Sequence, residues 1–423
     1  MPDLLTRLRN LPTKIRVGVI GIGNIGRGIT LQIANTPGMT CVAMADNNIE
    51  RAKIWAINNQ FNFMVTESSD AMAVAINNGK VAISSDGLLL TQCEAIDIIV
   101  DSSSSVLCGA KFALSAIEAH KHVIMMNSEA DLIFGPLLFQ KAKAEGVVYT
   151  SADGDQHTVL KRLQNEIELW GFKTVMAGNM KGFLDRYADP TKIIPEANKR
   201  FMDYKMCTSY SDGTKLAIEM ALIANAIDGE VTKPGMVGPK VGDINTIFDH
   251  FDLEKSWDLQ HPIVDYVLGA YPPGGVFIIG YNDHPHQMET LSWYPCHLGP
   301  GPFYLFHRPY HLGHIEVVSC IAEAYLDHWA LLSPTYGFKT NVYSYAKRDL
   351  KKGELLDGIG GYDLYGLIDN VTGEQAKNGL PICVSEGLKL CRDIPRDCPI
   401  NLQDVLIEPQ DERFQLYSSA LAI

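Results

Sequence analysis

The chain has 423 residues, of which 46% are hydrophobic and 20% charged, a composition typical of a folded globular protein rather than a disordered one. Acidic side chains number 49 against 36 basic ones, and the formal net charge of −13 argues against general attraction to nucleic acid or anionic lipid. No apolar stretch is long enough to span a bilayer, and the nine cysteines include no Cys-x-x-Cys pair. We therefore expect a cytoplasmic protein with reduced thiols that binds neither membrane nor nucleic acid.

Short apolar runs alternate with helical patterns over the first 150 residues. The runs predict strands at 15–20, 41–45, 95–100, 122–126 and 147–149. Repeated strand–helix units build a parallel sheet with helices on both faces. The predicted fold class is α/β, with a Rossmann-type doubly wound sheet over 1–150, an α+β substrate and oligomerisation domain over 151–340, and a β-rich domain over 341–423.

A glycine-rich turn directly follows the first predicted strand. It reads Gly21-Ile22-Gly23-Asn24-Ile25-Gly26, the G-x-G-x-x-G pattern, and it opens a helix. In dinucleotide-binding folds such a turn lets the backbone approach the pyrophosphate at the helix N-terminus. Asp46 ends the second strand, where an acidic residue bonds the ribose of NAD, whereas Arg51 could meet the extra phosphate of NADP. We predict a nicotinamide cofactor and favour NAD; the alternative is a glycine-rich turn that binds something else.

Polar residues also follow two later strands of the same sheet. Because the carboxyl ends of parallel strands face the ligand crevice, we expect these residues to flank the nicotinamide ribose. They are Ser102, Ser103, Asn127 and Glu129.

Five sequence blocks carry a resemblance to a known family. They include His122-Val-Ile-Met-Met-Asn127-Ser-Glu129-Ala-Asp131, Ala152-Asp153-Gly154-Asp155-Gln156, Thr208-Ser-Tyr-Ser-Asp212-Gly213-Thr214-Lys215, Arg308-Pro309-Tyr310-His311 and Ala346-Lys347-Arg348-Asp349-Leu350-Lys-Lys-Gly353. Over residues 14–405 the chain resembles the homoserine dehydrogenase-like oxidoreductases that carry a C-terminal SAF domain, to which the last block belongs. The resemblance implies NAD(P)-dependent hydride transfer. It includes the 1-deoxy-D-xylulose 5-phosphate reductoisomerase-like branch, which uses NADPH.

Hydride transfer at an oxygen-bearing carbon needs a proton donor or acceptor and positive charge near that oxygen. We predict Lys215 in this role, at the start of an amphipathic helix, with Asp212 orienting its ammonium group. The alternative is an ordinary helix cap followed by a surface lysine.

Further candidates lie before and after the predicted catalytic lysine in the chain. Asp155 is a catalytic candidate, and Asp153 and Gln156 are substrate-binding candidates, although Asp-Gly-Asp is also good turn chemistry. Asp153, Asp155 and Glu219 could instead hold a divalent cation. Arg308 and His311 are predicted substrate contacts.

The histidines nearby do not predict a metal site. His307, His311 and His314 have helical spacing, but Pro309 interrupts the helix between the first two. We therefore assign no metal ligands to them.

The sequence predicts an enzyme, an NAD(P)-dependent oxidoreductase acting on a small, sugar-like and possibly phosphorylated carbonyl or alcohol, and a homo-oligomer. The alternative is a regulatory protein that senses NAD(H) without turnover, in which the catalytic candidates need not be retained.

Overall fold

The computed structural model describes residues 2–423, apart from the side chains of residues 374 and 375. The chain divides into two compact units. The first consists of the residues up to Asp155 together with Leu312–Ser333 and Leu416–Ile423, and the second of Gln156–His311 and Pro334–Gln415. By this division the predicted C-terminal domain, 341–423, is shared between both units, and its assignment as a SAF domain stays a prediction.

A seven-stranded parallel sheet forms the centre of the first unit. Its strands are β1 (Ile15–Ile20), β2 (Met39–Ala45), β3 (Phe63–Val65), β4 (Val81–Ser84), β5 (Ile98–Asp101), β6 (His122–Met125) and β7 (Tyr149–Ser151). The spatial order β3-β4-β2-β1-β5-β6-β7 changes direction at β1. This confirms the predicted Rossmann-type doubly wound fold and adds β3 and β4, which the sequence analysis did not predict.

Helices connect these strands as the sequence analysis expected. The connecting helices are α2 (Asn24–Asn35), α3 (Ile49–Asn58), α4 (Ser69–Asn77), α5 (Gly87–Gln92), α6 (Val106–Glu118) and α7 (Ser128–Glu145), and α1 (Leu4–Arg9) precedes β1. The apolar side of α2 is buried through Ile29 and Ile33, in one core cluster with Val17 and Val19 of β1. Burial of that apolar surface stabilises the helix on the sheet.

The remaining helices and strands follow in chain order. The helices are α8 (Gln156–Leu169), α9 (Ile194–Arg200), α10 (Tyr204–Asp212), α11 (Thr214–Ile227), α12 (Leu253–Ser256), α13 (Pro285–Leu291), α14 (Gly313–Asp327), α15 (Glu374–Asn378) and α16 (Glu412–Leu421). The strands are β8 (Lys173–Lys181), β9 (Ile263–Leu268), β10 (Val276–Tyr281), β11 (Phe303–Arg308), β12 (Thr340–Ala346), β13 (Leu364–Asn370), β14 (Lys389–Leu390) and β15 (Val405–Leu406). Three short 3₁₀ turns complete the chain, at Ile244–Asp249, Ile382–Val384 and Leu402–Asp404.

Helix α14 belongs to the first unit and packs against α2. Its buried residues Val317, Cys320 and Ile321 join the same core cluster as Ile29 and Ile33. Among the described residues, no helix combines the length and apolar character that crossing a membrane requires.

A four-stranded sheet in the order β11-β10-β8-β9 organises the second unit. Helices α8 and α11 pack against it, and α11 in turn packs against the antiparallel pair β12–β13. All 14 residues of α11 are buried, because the helix has neighbours on every side. The polar residues that it carries are therefore buried as well.

Candidate functional site

The glycine-rich turn has the geometry that a dinucleotide site requires. Gly21 adopts a left-handed backbone with φ of +88°, and a Cβ on Gly26 would lie 1.8 Å from the Gly21 carbonyl oxygen. Gly23, by contrast, has no heavy atom within 4 Å of its Cβ position. It is also the N-cap of α2 and offers no side-chain cap, which leaves the helix N-terminus open for an anion. The two crowded glycines thus hold the turn against α2, and the open one leaves room for a pyrophosphate.

Asp46 is bonded to this turn from the end of β2. Its side chain is buried, and Oδ2 accepts the Ile22 N–H at 2.8 Å while Oδ1 accepts the Asn48 N–H at 2.9 Å. Arg51 Nη1 lies 3.3 Å from Oδ2. The carboxylate therefore stabilises the turn, and a guanidinium group partly neutralises its charge.

A pocket of about 320 Å³ lies next to Asp46. Arg27, Asn48, Arg51 and Trp55 are among its lining residues. The Arg27 guanidinium carbon is 5.8 Å from the centre of the Trp55 ring, and its Nε donates to the Gly23 carbonyl oxygen at 3.1 Å. The pocket thus presents two guanidinium groups and one aromatic ring to a ligand. The residues of the turn and the pocket fit a dinucleotide, which would supply hydride chemistry when bound.

The four polar residues predicted to flank the nicotinamide ribose are fixed by local bonds. Ser102 Oγ donates to the carbonyl oxygens of Ile20 at 2.9 Å and Gly21 at 2.7 Å, so it stabilises the glycine turn. Asn127 caps α7, accepting the Ala130 N–H at 3.1 Å, and its Nδ2 lies 3.4 Å from Ser103 Oγ. The fourth, Glu129, is buried in the first turn of that helix. A role of these four residues in ribose binding stays a prediction.

Two buried carboxyl groups of the first unit were not assigned a role by the sequence analysis. Asp101 ends β5, and burial raises the pKa of its carboxyl group to about 6. Hydrogen bonds from the Ser103 N–H and the Asn127 amide act in the opposite direction and lower the pKa. Asp131 accepts the Tyr149 hydroxyl at 2.6 Å and also the Ser151 hydroxyl, and burial likewise raises its pKa to about 6. Both groups therefore change charge in a pH range where ordinary aspartates are fully ionised.

The Asp-Gly-Asp segment lies at the end of the first unit. Asp153 is buried, and its Oδ1 accepts the Gly154 N–H at 2.8 Å, while Gly154 has a φ of +89°. A Cβ on Gly154 would lie 2.8 Å from the Gly313 Cα, so only glycine fits there. Asp155 is half-buried. The segment thus has the turn geometry considered from its sequence, and catalytic or substrate roles for Asp153 and Asp155 stay predictions.

In the second unit the structure brings together two of the predicted substrate contacts. Gln156 Nε2 lies 3.2 Å from His311 Nε2, and the buried Gln156 Oε1 has no hydrogen-bond partner among the described residues. Arg308 places its guanidinium carbon 4.4 Å from the centre of the Tyr310 ring. A ligand bound at Gln156 could therefore donate a hydrogen bond to Oε1.

Lys215 is buried at the start of α11, with 4% of its surface exposed, and Glu219 lies one turn further along. Asp212 immediately precedes the helix, and its Oδ1 accepts the Thr214 N–H at 2.8 Å. Its Oδ2 lies 2.8 Å from Nζ of Lys347, which the sequence analysis did not single out. Burial raises the pKa of Asp212, and the Lys347 ammonium group opposes that rise. The Asp212 carboxylate thus forms its ion pair with Lys347, and the predicted orientation of Lys215 by Asp212 stays a prediction.

Strand β8 adds two polar residues to the same region. Asn179 pairs across the sheet with Val276, and Gly178 pairs with Phe277, whose ring packs against Gly178 in the apolar core. Side chains alternate along a strand, so Asn179 and Lys181 lie on the opposite face from Phe277. Burial lowers the pKa of Lys181, while the carboxylates of Glu219 and Asp212 raise it.

Asn179 is the residue that sequence reasoning missed. It is 1% exposed, and neither Nδ2 nor Oδ1 has a hydrogen-bond partner within the described part of the chain. The signal in the sequence was one amide in the apolar run Val175-Met176-Ala177-Gly178-Asn179-Met180. An unpaired buried amide costs about 1–3 kcal/mol, which makes Asn179 a candidate ligand contact.

The described residues contain no group of three histidine, cysteine, aspartate or glutamate side chains that could hold a metal ion. Of the three carboxylates considered for a divalent cation, Asp153 and Asp155 belong to the first unit and Glu219 to the second. We derive no catalytic step through a metal ion.

Two models of known protein domains match parts of this chain. The model of the homoserine dehydrogenase NAD-binding domain matches residues 21–151, and the model of the oxidoreductase DRL catalytic domain matches residues 154–317. No curated protein matches the chain. Three similar solved structures serve as examples.

A probable dehydrogenase from Thermotoga maritima is 14% identical, with a TM-score of 0.42 over 76% of this chain and 91% of that one. A DOX-P reductoisomerase with fosmidomycin and magnesium is 16% identical, with a TM-score of 0.35 over 49% and 56%. A myo-inositol dehydrogenase from Lactobacillus casei with NAD(H) and myo-inositol is 16% identical, with a TM-score of 0.31 over 44% and 51%. The chain thus spans about half the length of the second and third of these proteins. By these two matches, the chain combines a homoserine dehydrogenase-type NAD-binding domain with an oxidoreductase DRL catalytic domain.

Proposed function

We propose that the protein transfers a hydride between a nicotinamide cofactor and a small hydroxylated carbonyl or alcohol, with Lys215 exchanging the proton. The observation that carries this proposal is the buried start of α11, which carries Lys215 and Glu219 directly after the buried Asp212. The carboxylates of Glu219 and Asp212 also act on the ammonium group of Lys181. In the oxidation direction a bound nicotinamide would accept the hydride of the alcohol C–H bond. The O–H proton then passes to the Lys215 amine, and the reverse direction returns it to the alkoxide.

The substrate class follows from the polar groups of the second unit. Asn179 offers one donor and one acceptor with no partner among the described residues, and Gln156 offers one unused acceptor. A hydroxyl group can donate and accept at once, so such side chains suit a polyol-like substrate. The resemblance to the reductoisomerase-like branch makes 1-deoxy-D-xylulose 5-phosphate the first compound to test, with and without Mg²⁺.

The test is the oxidation of NADH and NADPH by the purified protein across small ketoses, aldoses and their phosphates. Replacement of Lys215 by methionine should lower kcat by roughly 10²–10⁴-fold, because the proton donor is lost. Cofactor affinity should not change. Lys255, an exposed lysine of the second unit, gives the control Lys255→Met, with wild-type rates expected.

Full activity of Lys215→Met would refute the role of that lysine. Tight cofactor binding without turnover on any compound would instead favour the alternative function, a sensor of NAD(H). The predicted homo-oligomer stays a separate proposal, which light scattering tests.

We further propose that the cofactor pocket accepts NADP(H) as well as NAD(H). Support comes from Arg51, which partly neutralises Asp46, and from Arg27, which lines the same pocket. Loss of one guanidinium–phosphate contact costs about 1.5–3 kcal/mol. Arg51→Ala should therefore raise the dissociation constant for NADPH by roughly 10–100-fold, and that for NADH much less.

Fluorescence titration of both cofactors measures these constants. Arg9→Ala, at an exposed arginine of the first unit, is the matched control. Equal changes in the dissociation constants for NADH and NADPH in Arg51→Ala would show that Arg51 does not bind the extra phosphate of NADPH.

A further inference from the structure

The segment between β12 and β13 carries most of the last of the five sequence blocks, 346–353, and hydride transfer as proposed above gives it no role. Within this block Lys347 is unusual, because its side chain is only 3% exposed. Buried lysines require compensation by charge or hydrogen bonds. The structure identifies these compensating groups.

Three oxygen atoms surround the Lys347 ammonium group. Nζ donates to the carbonyl oxygens of Ala188 and Gly361, each at 2.8 Å, and lies 2.8 Å from Asp212 Oδ2. The ammonium group thus donates to two carbonyl oxygens and forms an ion pair with one carboxylate oxygen, all inside the protein. Its environment suits a fixed charge.

The Asp212 carboxylate connects Lys347 to the start of α11. Its side chain is fully buried, and its second oxygen accepts the Thr214 N–H at 2.8 Å. Gly213, between α10 and α11, has a φ of +88°, so the chain turns sharply at this point. Lys215 is the second residue of the helix that follows.

A second bond from the same C-terminal segment reaches this turn. The Gly366 N–H of β13 donates to Thr214 Oγ1 at 2.9 Å, and a Cβ on Gly366 would lie 3.1 Å from Thr214 Cγ2. Residues 212 and 214 are thus each held by a partner from 334–415. The segment Asp212–Gly213–Thr214, here called the α10–α11 junction, sets the position from which Lys215 extends.

We propose that Lys347 is a positioning residue, which keeps Asp212 ionised and thereby fixes the α10–α11 junction beneath Lys215. This inference rests on the proposed function for its effect on turnover, but not for its effect on the junction. A buried ion pair that loses one partner leaves an uncompensated charge, which is strongly unfavourable. Without Lys347, Asp212 would bind a proton or leave its buried position.

The first test is hydrogen–deuterium exchange of the full chain, which needs no substrate. In Lys347→Met the amides of residues 206–216 should exchange at least about 10-fold faster than in the wild type, because their structure opens more easily. Lys352→Met, an exposed lysine in the same block, is the matched control and should leave that exchange unchanged. Unchanged exchange at 206–216 in a folded Lys347→Met would overturn the proposal.

The second test is the pH profile of kcat on the best substrate of the panel. Lys347→Met should lower kcat by roughly 100-fold, the scale expected for a misplaced catalytic group. Its acidic limb should move to higher pH, because Asp212 then needs a higher pH to ionise, while Lys347→Arg should restore part of the rate. A purely structural role would reduce the amount of folded protein and leave the profile in place, which would contradict the inference.

A double variant tests the proposal even if Lys347→Met does not fold. Asp212→Asn with Lys347→Met removes both charges, so it should fold better than Lys347→Met alone. If the double variant melts no higher than Lys347→Met, the two residues do not act as a pair. A wild-type protein that transfers no hydride would refute the proposed function, and exchange at the junction would still decide the inference.

Discussion

At the scale of single residues, two buried asparagines of the second unit differ in whether their amide groups are paired. Asn225 on α11 accepts the backbone N–H groups of Lys339 and Thr340, each at 2.9 Å. Asn179 is equally buried, but its amide has no partner among the described residues. The same residue type should therefore respond to substitution in opposite ways at the two positions.

Asn179→Leu should raise the free energy of unfolding by about 1–3 kcal/mol, because it removes an uncompensated polar group at nearly constant volume. It should also lower turnover if the amide binds substrate. Asn225→Leu is the matched control and should lower the free energy of unfolding by a similar amount, since two N–H groups lose their acceptor. Urea unfolding measures both changes. A destabilised Asn179→Leu would show that the amide is already satisfied, for example by a bound water.

Sequence reasoning could predict the single residues whose type is tied to a local pattern. The glycine turn and Asp46 were predicted, since their spacing along the chain fixes their geometry. The partner of Asp212 could not be predicted, because Lys347 is 135 residues away and only the packing of β12 brings it there. A pair that distant leaves no periodic signal in one sequence.

At the scale of elements, the sequence analysis was most reliable where one element carries its own signal. Helix α11 was predicted with Lys215 at its start and begins at Thr214, because its apolar pattern is long. The start of α7 has a less usual signal, since the helix begins at Ser128 after the Asn127 cap and keeps Pro136 inside it. Proline ordinarily occupies the first turn of a helix. Strands β3 and β4, of three and four residues, were missed.

The turn between β1 and α2 makes a testable distinction between its glycines. Gly26→Val should destabilise the protein and abolish NADPH binding, because the added Cβ would collide with the Gly21 carbonyl 1.8 Å away. Gly23→Val should fold with a melting temperature near that of the wild type, since its backbone is extended and its Cβ position is open. It should still lose NADPH affinity, because the side chain occupies the space of the pyrophosphate.

Calorimetry measures the change in stability, and fluorescence titration measures the change in NADPH affinity. A Gly23→Val variant that keeps its affinity for NADPH would contradict this account of the turn. A Gly26→Val variant that melts like the wild type would contradict the packing argument.

At the scale of the whole molecule, two buried carboxyl groups make stability depend on pH. The pKa of Asp131 rises from 3.8 to about 6 on folding, so between these values the native state holds a proton that the unfolded chain has released. Stability therefore falls as pH rises from about 4 to about 6, and it levels off above that range. Asp101 contributes in the same direction.

Asp131→Asn removes one of these titrations and keeps an acceptor for the Tyr149 hydroxyl. At pH 8 the variant should gain up to about 3 kcal/mol relative to the wild type, and near pH 4 the difference should be small. Chemical unfolding at both pH values measures it. A difference independent of pH would show that Asp131 does not titrate in this range.

The interrupted chain path of the first unit has a consequence for biosynthesis. All seven strands of its sheet have been synthesised once Ser151 has been added, yet α14, which packs on α2, ends only at Asp327. During that interval the apolar surface formed by Ile29 and Ile33 lacks the covering that Val317 and Ile321 later provide. Nascent chains that expose such surfaces are aggregation-prone, and chaperones bind them. The first part of the second unit, Gln156–His311, must therefore be translated while α2 still lacks the cover of α14.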